Sequence, residues 1–389
     1  MKKKIAILGS TGSIGKALIE IIKKDKKNFD VILLTADKNY KEILKQAKIF
    51  KVKNLIINNE KSFKELKKKK FGKVNIFNNY DSFNIIFKKK IDYVMSSISG
   101  IHGLEPTLKI IKYTNKIAIA NKEAIICGWH LLKEDLKKYK TTFVPVDSEH
   151  FSIFYSLKGN KISNIDKIYL TASGGPLNNM PKKRFKNIKI SEAINHPNWK
   201  MGKKISVDSA TMMNKVFEVI EAKKIFNLDY NKIDVLIHPS SYVHSITKFK
   251  DGMIKIVAHD TNMRIPIFNS LHYEDQKKIK SDQLNLKKLN FLNFKKVDKD
   301  KFPSIKILKR LKNKESLLET IIVLANDELV NLFLLKKLSF TDINLFIEKL
   351  INMKEFINLC QKKPGDIKSI ISLKKIIKKK IENLISQKS

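Results

Sequence analysis

The sequence predicts an α/β protein in three parts: a parallel sheet flanked by helices, a central α+β region and a C-terminal helical bundle. Three observations carry this. Short apolar runs alternate with helix-length stretches up to about residue 146. Glycine, proline, serine and histidine then concentrate in the stretch from 150 to about 275. From Ser304 onward the apolar residues recur at helical spacing, as in S-L-L-E-T-I-I-V-L-A-N-D-E-L-V-N-L-F-L-L. The expected domains are 1–149, 150–274 and 304–389, with a lysine- and asparagine-rich connector over 275–303.

In the first part, K-I-A-I-L is β-branched and too short for a helix, so it reads as a buried strand. Ile14–Lys24 has helical spacing, and D-V-I-L-L-T-A is the second strand. L-I-I-N, I-D-Y-V-M-S-S-I and K-I-A-I-A-N follow, and T-T-F-V-P-V closes the layer. Strands separated by helix-length segments imply βαβ units, and hence parallel pairing. In the central part, K-I-Y-L and M-I-K-I-V-A are strands between loops with unusual backbone demands: T-A-S-G-G-P, N-H-P-N-W-K-M-G and I-H-P-S-S-Y-V-H-S. Loops of this kind carry function more often than framework does.

The formal charge of +40 on 389 residues suggests a polyanion partner at first sight. The basic residues are almost all lysine, however, with only Arg184, Arg264 and Arg310 among them. Arginine is the residue that base and phosphate forks favour. The lysines are also spread along the whole chain, so no nucleic-acid partner is expected and the excess reads as compositional drift. Such a charge still attracts an anionic substrate. Cys127 and Cys360 are far apart and form no metal-type spacing or disulfide framework, which fits a reducing cytoplasm. The apolar stretch of M-K-K-K-I-A-I-L-G is too short for a signal peptide, and no run reaches membrane-spanning length.

Directly after the first strand comes G-S-T-G-S-I-G, with Gly9, Gly12 and Gly15. Glycines between a strand and a helix permit a tight turn and close approach of backbone N–H groups to a pyrophosphate. The first domain is therefore read as Rossmann-like and nucleotide-binding. At the end of the second strand, Asp37 suits a ribose 2′-hydroxyl and so NAD, whereas Lys38 suits the 2′-phosphate of NADP; Asn39 serves either. The residues leave that choice open.

The stretch V-P-V-D-S-E-H sets Asp147, Ser148, Glu149 and His150 after an apolar run. Continued as a strand, it would put Asp147 and Glu149 on one face. Two carboxylates on one face repel unless a cation lies between them, and hard oxygen ligands suit Mg²⁺ or Mn²⁺. A third ligand is then needed. In V-D-S-A-T-M-M-N-K-V-F-E-V-I-E-A, Met213, Val216, Phe217 and Ile220 fill one side of a helix, and Asn214 and Glu218 fall on the other. Glu218 is either that ligand or half of a solvated surface pair with Lys215. Ser209, Asn214 and Lys215 could hold an anion such as phosphate, and Ser173 in T-A-S-G-G-P is a further contact for it. His196 and Trp199 sit in an irregular segment, where the tryptophan is either a lid or an anchor of the loop to the core. His238 and His244 read as packing residues, and His150 as structural.

Together these motifs resemble the 1-deoxy-D-xylulose 5-phosphate reductoisomerase family. The match rests on G-S-T-G-S-I-G, A-N-K-E-A at 120–124, P-V-D-S-E-H at 145–150, T-A-S-G-G-P at 171–176, H-P-N-W-K-M-G at 196–202, S-V-D-S-A-T-M-M-N-K at 206–215 and L-A-N-D-E-L at 324–329. The resemblance implies a cytoplasmic, homodimeric enzyme of isoprenoid precursor biosynthesis. It implies rearrangement and reduction of 1-deoxy-D-xylulose 5-phosphate to 2-C-methyl-D-erythritol 4-phosphate with NADPH and a divalent cation (Mg²⁺, Mn²⁺ or Co²⁺). By motif, it implies that Asp147, Glu149 and Glu218 hold the metal and act catalytically with Lys122. Thr11, Gly12, Ser13, Ile14, Lys38, Asn39, Asn121, Glu123 and Gly202 would contact the cofactor, with Asp37 beside them. Lys122, Ser148, Glu149, Ser173, His196, Ser209, Asn214, Lys215 and Glu218 would contact the substrate, with Trp199 on the closing loop. Asp37, Lys200 and Leu177 depart from the family's usual glycine, serine and phenylalanine. The competing enzymatic reading is a dehydrogenase of another kind, such as one acting on a semialdehyde, which would not need the three carboxylates.

Overall fold

In this computed structural model, residues 1–68, 73–275 and 277–387 are described. The chain forms two compact units, one of Met1–Ile125, His130–Phe151 and Met263–Lys280, the other of Ile126–Trp129, Ser152–Asn262 and Ser281–Ser389.

The first unit is built on seven strands: β1 (Lys3–Leu8), β2 (Phe29–Ala36), β3 (Asn54–Ile57), β4 (Asn75–Phe77), β5 (Ile91–Ser96), β6 (Thr114–Ile119) and β7 (Thr142–Pro145). Their order is β4-β3-β2-β1-β5-β6-β7, and every pair is parallel. Both faces are covered by helices, so the central strands are apolar throughout rather than alternating: Ile5, Ala6, Ile7 and Leu8 are all fully buried. The order reverses at β1, and the crevice at the carboxyl ends of β1 and β5 is where this architecture takes its ligands. The Ser13–Lys24 helix puts Leu18, Ile19, Ile21 and Ile22 into that core and ends on Lys23 and Lys24, which oppose its dipole. The Arg264–Leu271 helix returns to this unit and packs on the Ser13–Lys24 helix, with Ile267 and Leu271 in the same core. Strand β4 has only three residues, half exposed, and left no periodic signal in the sequence.

The second unit contains a mixed sheet of β8 (Ile165–Ala172), β9 (Ile233–Ile237), β10 (Val243–Phe249), β11 (Ile254–Ala258) and β12 (Lys295–Lys296), in the order β11-β10-β8-β9-β12. Only β8 and β9 pair in parallel. Ile165, Ile168, Leu170, Val219, Phe226 and Phe249 form the core beneath it. The C-terminal helices are Leu317–Leu334, Phe340–Ile351, Lys354–Leu359 and Ile367–Ser386, and the first packs on the second and fourth. The connector contains a short helix, Leu286–Asn290, besides β12. Among the described residues, no helix is long and apolar enough to cross a membrane.

Candidate active site

In the first unit, the glycine turn follows β1. Gly9 has φ +80°, and a Cβ there would lie 2.8 Å from the Ser97 carbonyl oxygen. A Cβ on Gly15 would lie 2.5 Å from the Gly9 oxygen. Turn and helix therefore touch backbone to backbone, which only glycine permits. Thr35, which the sequence reading passed over, fixes this turn from the end of β2. Its Oγ1 accepts from Gly9 N and its carbonyl accepts from Ser10 N, both at 2.9 Å. Gly12 precedes the Ser13–Lys24 helix and no side chain caps it, so the first N–H groups point outward beside exposed Ser13 and half-buried Thr11 and Ile14. That geometry fits the pyrophosphate of a dinucleotide.

The other cofactor candidates of this unit divide. Asp37 and Lys38 are exposed at the end of β2. Asn39 Oδ1 accepts from Glu42 N at 3.1 Å and so caps the Tyr40–Phe50 helix. Asn121 is buried and its amide is committed to backbone. It accepts from Ala124 N at 2.8 Å and donates to the carbonyls of Ile98 and, at 2.7 Å, Gly100. It thereby ties the loop after β5 to the start of the Lys122–Lys138 helix, whose first turn carries half-buried Glu123.

The acidic stretch differs from the strand expected for it. Strand β7 ends at Pro145, and a helix begins at Ser148 and runs to Ser156. Asp147 lies at the entry to that helix, where its carbonyl accepts from Phe151 N at 2.8 Å. The alternation argument thus fails, because the period changes from two to 3.6 between the two acids. They still converge: a carboxylate oxygen of each lies within 4.8 Å of the other. The Lys122 ammonium pairs with Asp147 Oδ2, and the wholly buried His150 places Nδ1 3.2 Å from the same oxygen. Burial alone would raise the Asp147 pKa, but Lys122 and His150 outweigh it and hold the carboxyl far below its usual range. Ser148 Oγ donates to Glu149 Oε2. A mostly buried pair of hard oxygen donors that draws positive charge to itself fits a divalent cation.

In the second unit, Glu218 is not on a solvated face. Glu218 is 1% exposed and Lys215 4%. Their pairing exists as the surface reading has it, but it is sealed, because the Met213–Phe226 helix packs against β8, β9 and the Pro303–Arg310 turn at once. Asn214 Nδ2 donates to Glu218 Oε1 at 2.5 Å, and Lys215 Nζ bonds Glu218 Oε2 and, at 2.5 Å, the Thr171 carbonyl. Lys215 so bridges the helix to the start of T-A-S-G-G-P. That loop then packs on Ser209: Gly175 has φ +68°, and a Cβ there would lie 2.4 Å from the Ser209 oxygen. Ser209, Asn214 and Lys215 flank a corner between the Lys203–Ala210 and Met213–Phe226 helices. Its pivot, Met212, is left-handed at φ 64°, ψ 8°, at a cost of about 1–2 kcal/mol for a residue with a Cβ.

Ser173 Oγ lies 3.0 Å from His196 Nε2 and accepts from Gly175 N at 3.0 Å. His196 Nδ1 accepts from the N–H groups of Asn198 and Trp199, both at 3.1 Å. Nδ1 is therefore bare and Nε2 carries the proton, which it donates to Ser173. With two donors already facing its oxygen, Ser173 directs its own hydrogen elsewhere, as an anion contact requires. Burial pushes the His196 pKa down to about 4 from 6.5. The unfolded chain then takes up a proton near pH 6.5 that the native state refuses until about pH 4, so stability falls as pH drops through that window. The urea midpoint is expected to decline less steeply over this range in His196→Gln; equal slopes would remove His196 as the cause.

Trp199 is half-buried and meets buried His244 edge-on, with centroids 6.0 Å apart, so its loop is anchored here. His244 Nε2 bonds the His259 carbonyl, and His238 bonds the Asn293 carbonyl and Ser240, as packing residues do. Gly202 is exposed ahead of the Lys203–Ala210 helix, with open space where a Cβ would stand. Leu177 is fully buried.

Comparison with known proteins bears on the whole chain. Residues 5–128 match the family described as 1-deoxy-D-xylulose 5-phosphate reductoisomerase, 143–226 its C-terminal domain and 260–380 the DXP reductoisomerase C-terminal domain. A 1-deoxy-D-xylulose 5-phosphate reductoisomerase of Pelagibacter ubique (strain HTCC1062) is 57% identical over 98% of this chain and 99% of its own. One from Sulfurihydrogenibium sp. (strain YO3AOP1) is 40% identical over 88% of this chain and 89% of its own. The Zymomonas mobilis enzyme solved with NADPH superposes with a TM-score of 0.89 at 28% identity, covering 99% of both chains. A DOX-P reductoisomerase solved with NADPH, fosmidomycin and magnesium superposes with a TM-score of 0.90 at 31% identity, covering 99% of this chain and 98% of that one.

Proposed function

Because the chain belongs to the 1-deoxy-D-xylulose 5-phosphate reductoisomerase family, we propose that it converts 1-deoxy-D-xylulose 5-phosphate to 2-C-methyl-D-erythritol 4-phosphate. The observation that carries this is the near-full-length identity of 57% to such an enzyme, joined to carboxylates paired with buried lysines where the motifs require them. We read 1–149 as the NADPH domain, 150–274 as the part bearing the phosphate pocket and lid loop, 275–303 as a linker and 304–389 as a supporting helical domain. The three carboxylates of the metal set are Asp147, Glu149 and Glu218.

When bound, NADPH supplies hydride, and the cation supplies Lewis-acid polarisation of neighbouring substrate oxygens. The chain's own residues supply the rest. Thr11, Gly12, Ser13 and Ile14 hold the cofactor pyrophosphate, while Asp37, Lys38, Asn39, Asn121, Glu123 and Gly202 complete the cofactor set. Ser173, Ser209, Asn214 and Lys215 grip the substrate phosphate away from the reacting carbons, so that its binding energy serves orientation. His196 stays neutral and keeps the Ser173 hydroxyl aimed at a phosphate oxygen. Lys122 and Ser148 contact the substrate beside the acids, and Lys122 neutralises charge as the carbon skeleton rearranges. Trp199 excludes water during reduction of the aldehyde. The test is loss of NADPH absorbance with this substrate, with and without Mg²⁺ or Mn²⁺. Metal-dependent oxidation is expected, and none under any condition would sink the reading.

The same reading makes the protein a cytoplasmic homodimer. Support for the dimer comes from β11, an edge strand that shows Ile254 and Ile256 to solvent next to exposed Met253. An exposed apolar edge strand invites a second copy. Ile254→Lys with Ile256→Lys is expected to yield a monomer in analytical ultracentrifugation, and an unchanged dimer would move the interface elsewhere.

A further inference from the structure

The corner at Met212 is tied from outside by two polar contacts that the catalytic reading does not use. Ser304, fully buried at the start of the Pro303–Arg310 turn, lies 2.7 Å from the Thr211 carbonyl, one residue before the left-handed pivot. Its oxygen also lies 2.5 Å from Asn344 Oδ1. A hydroxyl has one hydrogen, so the cluster is satisfied when Ser304 donates to the carbonyl and Asn344 turns its amide to donate to Ser304. On the other flank, Asn326 of the Leu317–Leu334 helix donates to Asp208 Oδ1 at 2.7 Å, with both residues buried. Asp208 Oδ2 also meets Lys204 at 3.3 Å, and Lys204 reaches Asp327 at 2.7 Å. Asp208 immediately precedes Ser209.

These contacts have a cost that packing alone does not explain. Asn326 Oδ1 is buried and finds no hydrogen-bond partner among the described residues. A leucine of similar volume would leave no such group, so the amide is retained for what its donor end does. What it does is hold Asp208, while Ser304 holds Thr211; between them lies the turn that sets Ser209 relative to Asn214 and Lys215. A left-handed residue with a side chain persists only where its surroundings over-determine it.

We propose that Asn326 and Ser304 are positioning residues, through which the C-terminal helical segment clamps the Asp208–Met212 corner and so preorganises Ser209, Asn214 and Lys215 for the substrate phosphate. This rests on the phosphate-pocket reading given above. The clamp touches neither substrate nor cofactor; it sets the geometry of groups that do.

The test uses full-length Ser304→Ala, Asn326→Leu and Ser304→Thr, the last keeping the hydroxyl. Two readouts are taken: steady-state kinetics with 1-deoxy-D-xylulose 5-phosphate, and amide hydrogen exchange across 206–216. In Ser304→Ala and Asn326→Leu, KM is expected to rise roughly tenfold, the scale of one lost hydrogen bond. The change in kcat is smaller, NADPH affinity is unaltered and exchange over 206–216 quickens. Ser304→Thr restores both readouts. A lower Tm with unchanged KM and unchanged exchange at 206–216 would overturn the proposal and leave these residues ordinary supports of the fold. If the wild type does not turn over this substrate, the functional reading fails, and the exchange data alone decide whether the clamp exists.

Discussion

Glu218→Gln is expected to lower kcat/KM by about 10³-fold or more, on the scale of removing a group that stabilises transition-state charge, while leaving NADPH affinity intact. The glutamine keeps the shape and one oxygen, so Asn214 retains a partner. What is lost is the charge on a carboxylate 1% exposed to solvent. Lys215 then keeps its ammonium in a sealed site without its counter-charge. Breaking a buried ion pair from one side costs about 3–5 kcal/mol, so a lower Tm accompanies the loss of activity. Circular dichroism and NADPH titration separate a folded, inert protein from an unfolded one. Electron paramagnetic resonance of Mn²⁺ reads the metal set without turnover, and weakened Mn²⁺ binding is expected. Activity near that of the wild type would remove Glu218 from the metal ligands.

Gly175→Ala, which replaces one hydrogen with a methyl group, is expected to lower kcat/KM by about 10²-fold. Its φ of +68° disfavours any side chain, and the added carbon would stand 2.4 Å from the Ser209 oxygen. Backbone cannot retreat as a flexible side chain can. Either Ser209 or the T-A-S-G-G-P loop must shift, and a displacement approaching 1 Å costs about 10²-fold in rate. Gly159→Ala is the control, since its φ is +76° and nothing lies within 4 Å of the new carbon. It carries the same backbone penalty without the collision and should reduce stability modestly while sparing kcat/KM. Equal losses in the two variants would mean that backbone strain alone, not the contact with Ser209, makes Gly175 necessary.

What was legible in the sequence followed from periodicity and from glycine. The buried strands of the parallel sheet announced themselves because a sheet covered on both faces needs unbroken apolar runs. The G-S-T-G-S-I-G turn was legible because its glycines answer to backbone collisions, as at Gly9 and Gly15. Local pattern failed where tertiary structure overrode it. Asp147 and Glu149 fall on a strand when the apolar run is continued, although Asp147 directly before Ser148 is itself a helix-start signal. Glu218 has the spacing of a surface ion pair with Lys215; its burial depends on elements that approach from elsewhere in the chain. Thr35 and Ser304 gave no signal, since a hydroxyl looks alike whether it ties two loops or faces water; Asn326 lies in the L-A-N-D-E-L stretch, which carries part of the resemblance but no role for the amide. Asn39 and Asn121 also carried a capping signal, an asparagine directly before each helix start.

The burial of a few lysines divides the chain's amines into two chemical populations. Lys116, Lys122, Lys215 and Lys224 are the buried ones among the described residues, and each sits against a carboxylate: Glu274, Asp147, Glu218 and Glu319. The remainder carry most of the +40 charge in contact with water. An electrophile that acylates or alkylates amines meets the second population first, so the protein's outer charge can be stripped, labelled or coupled to a support while the ammonium groups beside Asp147 and Glu218 stay shielded.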